Sequence, residues 1–248
     1  MTAASPLSGR VAVVVGASSG IGAATARMFA DAGARVHAAA RRRPSLDEAI
    51  VGHELDVSDR DGVEAFARGL TAEGPIHVVV VAAGTNLPDR RLDQLTPEAW
   101  DTLISINLTG SFNVIQAFLG ALRESRGDMI LIGSISGSWP DISGSGYQAA
   151  KAGLLALARG AGFEEHTRGV RFTTVLPGVV DTPILDNRPE PPSAELRAHM
   201  LQPEDVAVAC LFAATLPPRA HVPELTILPT LLQAVGKTNV ASPELPAD

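Results

Sequence analysis

The chain has 248 residues, 46% of them hydrophobic and 19% charged, with a formal charge of −7 at pH 7. That length is enough for a full core, and the acidic balance argues against a broad nucleic-acid surface, since Lys and Arg are scattered except at Arg41, Arg42 and Arg43. One cysteine, Cys210 in the apolar "VAVACLFAA", excludes an intrachain disulfide and reads as a small core residue.

The start, "MTAASPLSGR", lacks the basic flank and apolar run of a secretory signal. Charges or turn residues interrupt each apolar stretch before the roughly 20 residues that span a bilayer. A cytoplasmic protein with no membrane partner is therefore expected.

In chain order, the first apolar run is "VAVVV", Val11 to Val15, which leads directly into "GASSGIG". Gly16, Gly20 and Gly22 let the backbone turn tightly, and with Ser18, Ser19 and Ile21 they open a helix whose free amides favour a pyrophosphate. The second run, Val36 to Ala40, ends where a dinucleotide-binding chain selective for NAD places an acidic residue; here Arg41 and Arg42 follow instead. Guanidinium groups suit the 2′-phosphate of NADP, so NADPH is the expected cofactor.

"RRRPSLDEAIVGHE" is a short passage to the third strand and predicts a helix reduced to a turn or two. "LDVSD" follows, with Asp56 and Val57 at the adenine position, or Asp56 as a turn residue, and Ser58 as a cap for the helix beginning near Asp59. The fourth run, His77 to Ala83, ends in "AAG", where small Ala83 and Gly84 allow close approach to an adenosine ribose. Thr96 before Pro97 and Glu98 is a helix start.

The fifth run, Met129 to Gly133, leads straight to Ser134, and Tyr147 and Lys151, at i and i+4, share one face of the next helix. A free phenol has a pKa near ~10 and is a poor base. A neighbouring ammonium, together with the positive nicotinamide of the oxidised cofactor, is expected to lower that value and let Tyr147 trade a proton near neutrality. Val170 to Leu176 is the sixth run, a late loop covers Asp186 to Glu195, and another helix begins near Pro203. Runs without polar alternation, separated by helices, predict an α/β fold: a single Rossmann-like, doubly wound domain over 1–235 with a mostly parallel seven-stranded sheet, and a frayed tail at 236–248.

The motifs "GASSGIG", "LDV", "AAG", "SINLTG", "IGSISG", "YQAAK" and "PGVVDT", in that order from about Gly9 to Thr230, resemble the short-chain dehydrogenase/reductase family, of the NADP-preferring carbonyl reductase type. The resemblance implies that Tyr147 donates a proton to a substrate carbonyl and that Ser134 hydrogen-bonds its oxygen. It also implies that Lys151 binds the nicotinamide ribose, and that Asn107 holds a water continuing the relay. Pro177 and Gly178 would shape a turn from which Val180 and Thr182 meet the nicotinamide carboxamide. It further implies a homodimer or homotetramer, paired through helices at 97–123 and 146–166. The chain departs from the family in "VAA" before "AG", where two asparagines are frequent, and in the ending "PELTILPT", which lacks a glycine-rich close.

Three substrate-side readings complete the expectation. Trp139 and Ile142 form an apolar wall. Arg90, Arg91 and Arg188 are solvated surface charges, with contact to an anionic substrate as the alternative. The histidines show no metal-ligand spacing, and no metal is needed. The expected activity is NADPH-dependent reduction of a carbonyl, or the reverse oxidation; a non-catalytic NADPH sensor and an epimerase or dehydratase on the same fold are the alternatives.

Overall fold

Valine-rich runs become strands here because both of their faces are covered. The computed structural model describes residues 5–232, and in it seven strands form one sheet: β1 (Val11–Val15), β2 (Arg35–Ala40), β3 (Ile50–Glu54), β4 (Val78–Val81), β5 (Asp128–Ile132), β6 (Arg171–Pro177) and β7 (Glu224–Ile227). Their order is β3-β2-β1-β4-β5-β6-β7, and every neighbouring pair is parallel. The sheet is thus parallel throughout rather than mostly so. The expected boundary at residue 235 and the tail at 236–248 lie outside the described residues.

Successive residues along each strand serve opposite cores. Ala12 and Val14 of β1 pack with Phe29 of α1 (Gly20–Asp31) and with Val206 and Cys210 of α7 (Pro203–Thr215). Val13 and Val15 pack on the other face with Val63 of α2 (Arg60–Glu73), Phe118 of α4 (Gly110–Ser125) and Leu154 of α5 (Ser145–Glu165).

Local chemistry sets the helix starts. Thr96 accepts from the Ala99 amide at 3.2 Å, ahead of Pro97 in α3 (Pro97–Ile104). Asp59, not Ser58, caps α2, accepting from Gly62 N at 3.1 Å; Ser58 is already held by Asp56, through its amide at 2.9 Å and its hydroxyl at 2.7 Å. Between β2 and β3 there is no helix, since Pro44 interrupts a linker shorter than the dozen or so residues of a helical crossover. The linker lies flat on β3: a Cβ on Gly52 would stand 2.2 Å from the Pro44 carbonyl oxygen.

α3 continues into α4 through a π-helical turn, Ser105–Thr109. The continuous run Pro97–Ser125 is, by length and composition, apolar enough to cross a membrane, contrary to the expectation that no stretch approaches this. It nevertheless packs Val114, Phe118 and Leu122 into the core and keeps Asn107 and Asn113 buried.

At the amino edge of the sheet, buried Asp128 receives Arg171 Nε at 2.6 Å and Arg10 Nη2 at 3.1 Å. Arg10 also donates to the Ala214 carbonyl, and Arg171 to those of Leu216, Pro217 and Ala220, so one carboxylate fastens β1, β5, β6 and the end of α7. Asp128→Ala removes the shared carboxylate of two cations, and a loss of about 3–5 kcal/mol is expected. In a chain of this size that lowers Tm by roughly 6–20 °C, measurable by calorimetry.

Candidate active site

The strand order reverses between β1 and β4, and open parallel sheets bind ligands at the carboxyl edge of such a switch point. A cavity of about 780 Å³ opens there. Gly16 leaves β1 at φ +88°, and a Cβ on it would stand 2.3 Å from Ala83 N; a Cβ on Gly22 would meet Gly16 O at the same distance. Only hydrogens fit, so the turn passes hard against the end of β4 and the start of α1. The first turn of α1 has no acidic residue, and Ser19 makes no side-chain cap. Its amides therefore point their positive end at the cavity, as a diphosphate requires. Ser18, Ser19, Gly20 and Ile21 line the same wall.

Arg41 and Arg42 follow β2, are exposed and border the cavity. Asp56 and Val57 lie beside them. The Asp56 carboxylate makes the turn with Ser58 and still faces the cavity; that hydrogen bonding, aided by the Arg41 charge, holds it below the usual carboxylate range. Ala83 and Gly84 form the floor, and Pro177, Gly178, Val180 and Thr182 close the opposite side. The donors and the glycine cradle fit a dinucleotide, with the arginines at its adenosine end.

Ser134, Tyr147 and Lys151 converge at the other end of the cavity. Ser134 follows β5 after Gly133 and caps the short turn Ile135–Gly137, accepting from Ser136 N at 3.1 Å and donating to Ser136 Oγ at 3.0 Å. Gly137 lets this turn press onto α5, since a Cβ there would stand 2.8 Å from the Lys151 carbonyl oxygen. The Lys151 ammonium sits 5.7 Å from the Tyr147 ring centre and donates to the Ile132 carbonyl at 2.8 Å.

Burial governs both titrations. It pushes Lys151 down to about 8 and Tyr147 up to about 12, with the Ser134 hydrogen bond and the Arg90 charge pulling the phenol back. The expectation of a phenol acidified by lysine is corrected: the ammonium is turned toward Ile132 O, and desolvation outweighs it. Tyr147 in this state is a protonated acid at neutral pH.

Asn107 does not line the cavity. It is wholly buried in the π turn, where its Oδ1 accepts from Thr85 N at 3.1 Å and its Nδ2 donates to the carbonyls of Thr85 (3.0 Å) and Leu103 (2.9 Å). It lies behind Gly84, whose added Cβ would be 3.0 Å from Asn107 Oδ1 and 3.6 Å from Lys151 Nζ. The side-chain amide thus braces the floor beneath Lys151.

Sequence profiles of the short chain dehydrogenase family match residues 10–192. The chain belongs to the short-chain dehydrogenase family. A cis-4-hydroxycyclohexanecarboxylate dehydrogenase of Sinomonas cyclohexanicum is 37% identical over 225 residues, covering 83% of this chain and 89% of the relative. An uncharacterised oxidoreductase of Staphylococcus epidermidis is 32% identical, over 89% and 97% of the two chains. Among solved structures, the closed form of a serine dehydrogenase complexed with NADP+ superposes with a TM-score of 0.80 at 30% identity, covering 88% of this chain and 94% of that one. An alcohol dehydrogenase from Thermococcus sibiricus complexed with 5-hydroxy-NADP gives 0.77 at 29%, covering 89% and 97%. This short-chain dehydrogenase is thus an NAD(P)-dependent oxidoreductase.

The substrate side differs most from its sequence reading. Ile142 lines the cavity but Trp139 does not, and half of the expected wall is supplied instead by Ile184, Leu185 and Leu232. The late loop holds short helical turns, Pro183–Asn187 and α6 (Ala194–Arg197), clamped by Arg197 to Asp181 at 2.7 Å and to Asp186. Arg91 is exposed and paired with Asp93, as a solvated charge should be. Arg90 is buried against the site, and Asp141, Ser136 and Ser143 form a hydrogen-bonded cluster next to Ser134 that no motif marked. Arg90 owes its burial to segments distant in the chain, whereas the Asp141 cluster is a loop network within 134–143, and periodicity registers neither.

Proposed function

We propose that this short-chain dehydrogenase reduces a ketone or aldehyde with NADPH, and runs the reverse oxidation at alkaline pH. The reading is carried by the convergence of Ser134, Tyr147 and Lys151 at one end of a cavity whose other end is a glycine cradle flanked by Arg41 and Arg42. Bound NADPH supplies the hydride to the carbonyl carbon. Ser134 and Tyr147 donate hydrogen bonds to the carbonyl oxygen, and Tyr147 gives up its proton as negative charge develops there. Lys151 anchors the nicotinamide ribose, and its ammonium stabilises the phenolate left behind. Asn107 positions Lys151 through the Gly84 floor rather than by presenting its amide to the cavity. Val180 and Thr182 hold the carboxamide.

Following NADPH absorbance against a panel of ketones and aldehydes tests the activity. No net oxidation across the panel, with tight NADPH binding, returns weight to the sensor and epimerase readings. The NADP-type ligands bound to two of the structural relatives support the cofactor preference. Arg41→Ser is expected to lower kcat/KM for NADPH by about 10- to 100-fold while leaving NADH nearly unaffected, the loss of a charge-assisted contact to phosphate. Equal efficiency of the wild type with NADH would end this preference.

A homo-oligomer paired through α4 and α5 is also proposed. Ala149, Ala152, Ala156, Gly160 and Phe163 form an exposed stripe along α5, with Phe163 78% exposed. Such a row of small residues ending in a bare aromatic suits close helix pairing. Phe163→Asp is expected to shift light-scattering mass toward the monomer. Buried Cys210, its thiol pushed up to about 12, is chemically quiet and suits the proposed cytoplasmic setting.

A further inference from the structure

A guanidinium at the catalytic end of the cavity is buried and, among the described residues, is paired directly with no carboxylate. Arg90 is only 6% exposed, lines the cavity, and among the described residues forms no ion pair. Its Nη2 donates to the Asn187 carbonyl at 2.6 Å, while its Nε is buried with no acceptor. A charge removed from water without a counterion is costly, and chains keep one only where something offsets it.

The position is built rather than incidental. Gly144, at φ +87°, lies on the Arg90 backbone so closely that an added Cβ would stand 2.3 Å from its carbonyl oxygen. Gly144 immediately precedes α5, so the loop bearing Arg90 is seated against the same turn that carries Tyr147. Asn187 ties it to the other wall, where its Nδ2 donates to Asn86 O at 3.1 Å and Asn86 in turn donates to Ser143 O at 3.0 Å. Burial, joined by the charge of Arg188 in the same cavity lining, holds Arg90 below its ordinary pKa.

We propose that Arg90, with Arg188, receives the carboxylate of a substrate that carries its reacting carbonyl or hydroxyl elsewhere in the molecule: an oxo acid or hydroxy acid. This rests on the reductase reading and names its substrate class. The planar guanidinium of Arg90 offers the two parallel donors that a carboxylate accepts. Ile142, Ile184 and Leu185 supply an apolar stretch in the same cavity, fitting a hydrocarbon spacer between the carboxylate and the reacting carbon.

Binding is tested without turnover by calorimetric titration of pentanoate and of pentanamide into the enzyme saturated with NADP+. Pentanoate is expected to bind at least about tenfold more tightly, as a charge-assisted hydrogen bond provides. Arg90→Gln is expected to erase that ratio and Arg90→Lys to restore part of it, whereas Arg91→Gln, at the exposed neighbour, keeps it. Equal affinity of the wild type for the two ligands, no detectable binding of either, or an unchanged ratio in Arg90→Gln overturns the proposal. In parallel, 4-oxopentanoate is compared with its methyl ester as a substrate, and a preference for the acid of about tenfold in kcat/KM is expected. If neither ketone oxidises NADPH, the reductase reading is set back, while the pentanoate ratio still decides the carboxylate site.

Discussion

Tyr147→Phe is expected to lower ketone reduction by about 10²- to 10⁴-fold in kcat, the range that a positioned general acid supplies, with NADPH affinity nearly unchanged. The phenyl ring keeps the shape of the site and its contact with the Lys151 ammonium, which lies 5.7 Å from the ring centre, and removes only the hydroxyl facing Ser134. A variant retaining more than about a tenth of wild-type turnover would remove Tyr147 from the proton-donor role. The pH profile has a defined sign. With Tyr147 raised to about 12, its acid form is present throughout the neutral range, so reduction needs no deprotonation to begin. Lys151, lowered to about 8, carries its charge below that pH and loses it above, and with it the stabilisation of the departing phenolate. Reduction is therefore expected to decline above about pH 8, and a flat profile from neutrality to pH 10 would contradict the assigned role of Lys151.

Gly16→Ala is expected to have the second largest effect. Its added methyl would lie 2.3 Å from Ala83 N, 2.6 Å from Ala82 C and 2.7 Å from Ala83 Cα, all main-chain atoms of the adjoining strand end. The residue also holds φ +88°, which a side chain resists by about 1–2 kcal/mol. Together with overpacking, a loss of about 2–5 kcal/mol is expected, and with it a fall in Tm of roughly 4–20 °C. Because the displaced atoms form the cofactor turn and floor, NADPH affinity should fall more than about 100-fold, the equivalent of some 3 kcal/mol in binding. Gly69→Ala provides the contrast: it is exposed on α2, nothing lies within 4 Å of its added Cβ, and improved helix propensity should leave it neutral or slightly stabilised. NADPH titration by nucleotide fluorescence separates the two, and a Gly16→Ala protein binding within threefold of wild type would refute the close-packed turn.

Much of this molecule could be read along the chain because its signals are local. Apolar runs marked β1, β2, β4, β5 and β6 to within a residue or two, whereas β3 falls inside the passage read as a link, and glycines marked the turn that no Cβ can enter. Thr96 with Pro97 marked a helix start, and the spacing of Tyr147 and Lys151 placed both on one face. Where the reading failed, side-chain hydrogen bonds that no pattern registers decided the outcome, some local and some remote in sequence. Ser58 looked like a cap, but Asp56 had captured it and Asp59 took the task. Lys151 looked like the group that acidifies Tyr147, but Ile132, nineteen residues earlier, holds its ammonium. Arg90 stands in the polar stretch "LPDRRLDQ" and has the look of a surface charge; Asn187 and Gly144 bury it from far along the chain. Asn107 looked like the holder of a relay water, but its side-chain amide is committed to the backbone of Thr85 and Leu103.

The helix-free link between β2 and β3 carries a wider implication. Arg41 and Arg42 stand on that bare link, whereas Ser134, Tyr147 and Lys151 are embedded in the packed heart of the sheet and α5. On the proposed roles of these residues, nucleotide choice and chemical step are mechanically insulated from each other. Mutational drift or engineering can rewrite the first by altering a short exposed ribbon, with little risk to the second.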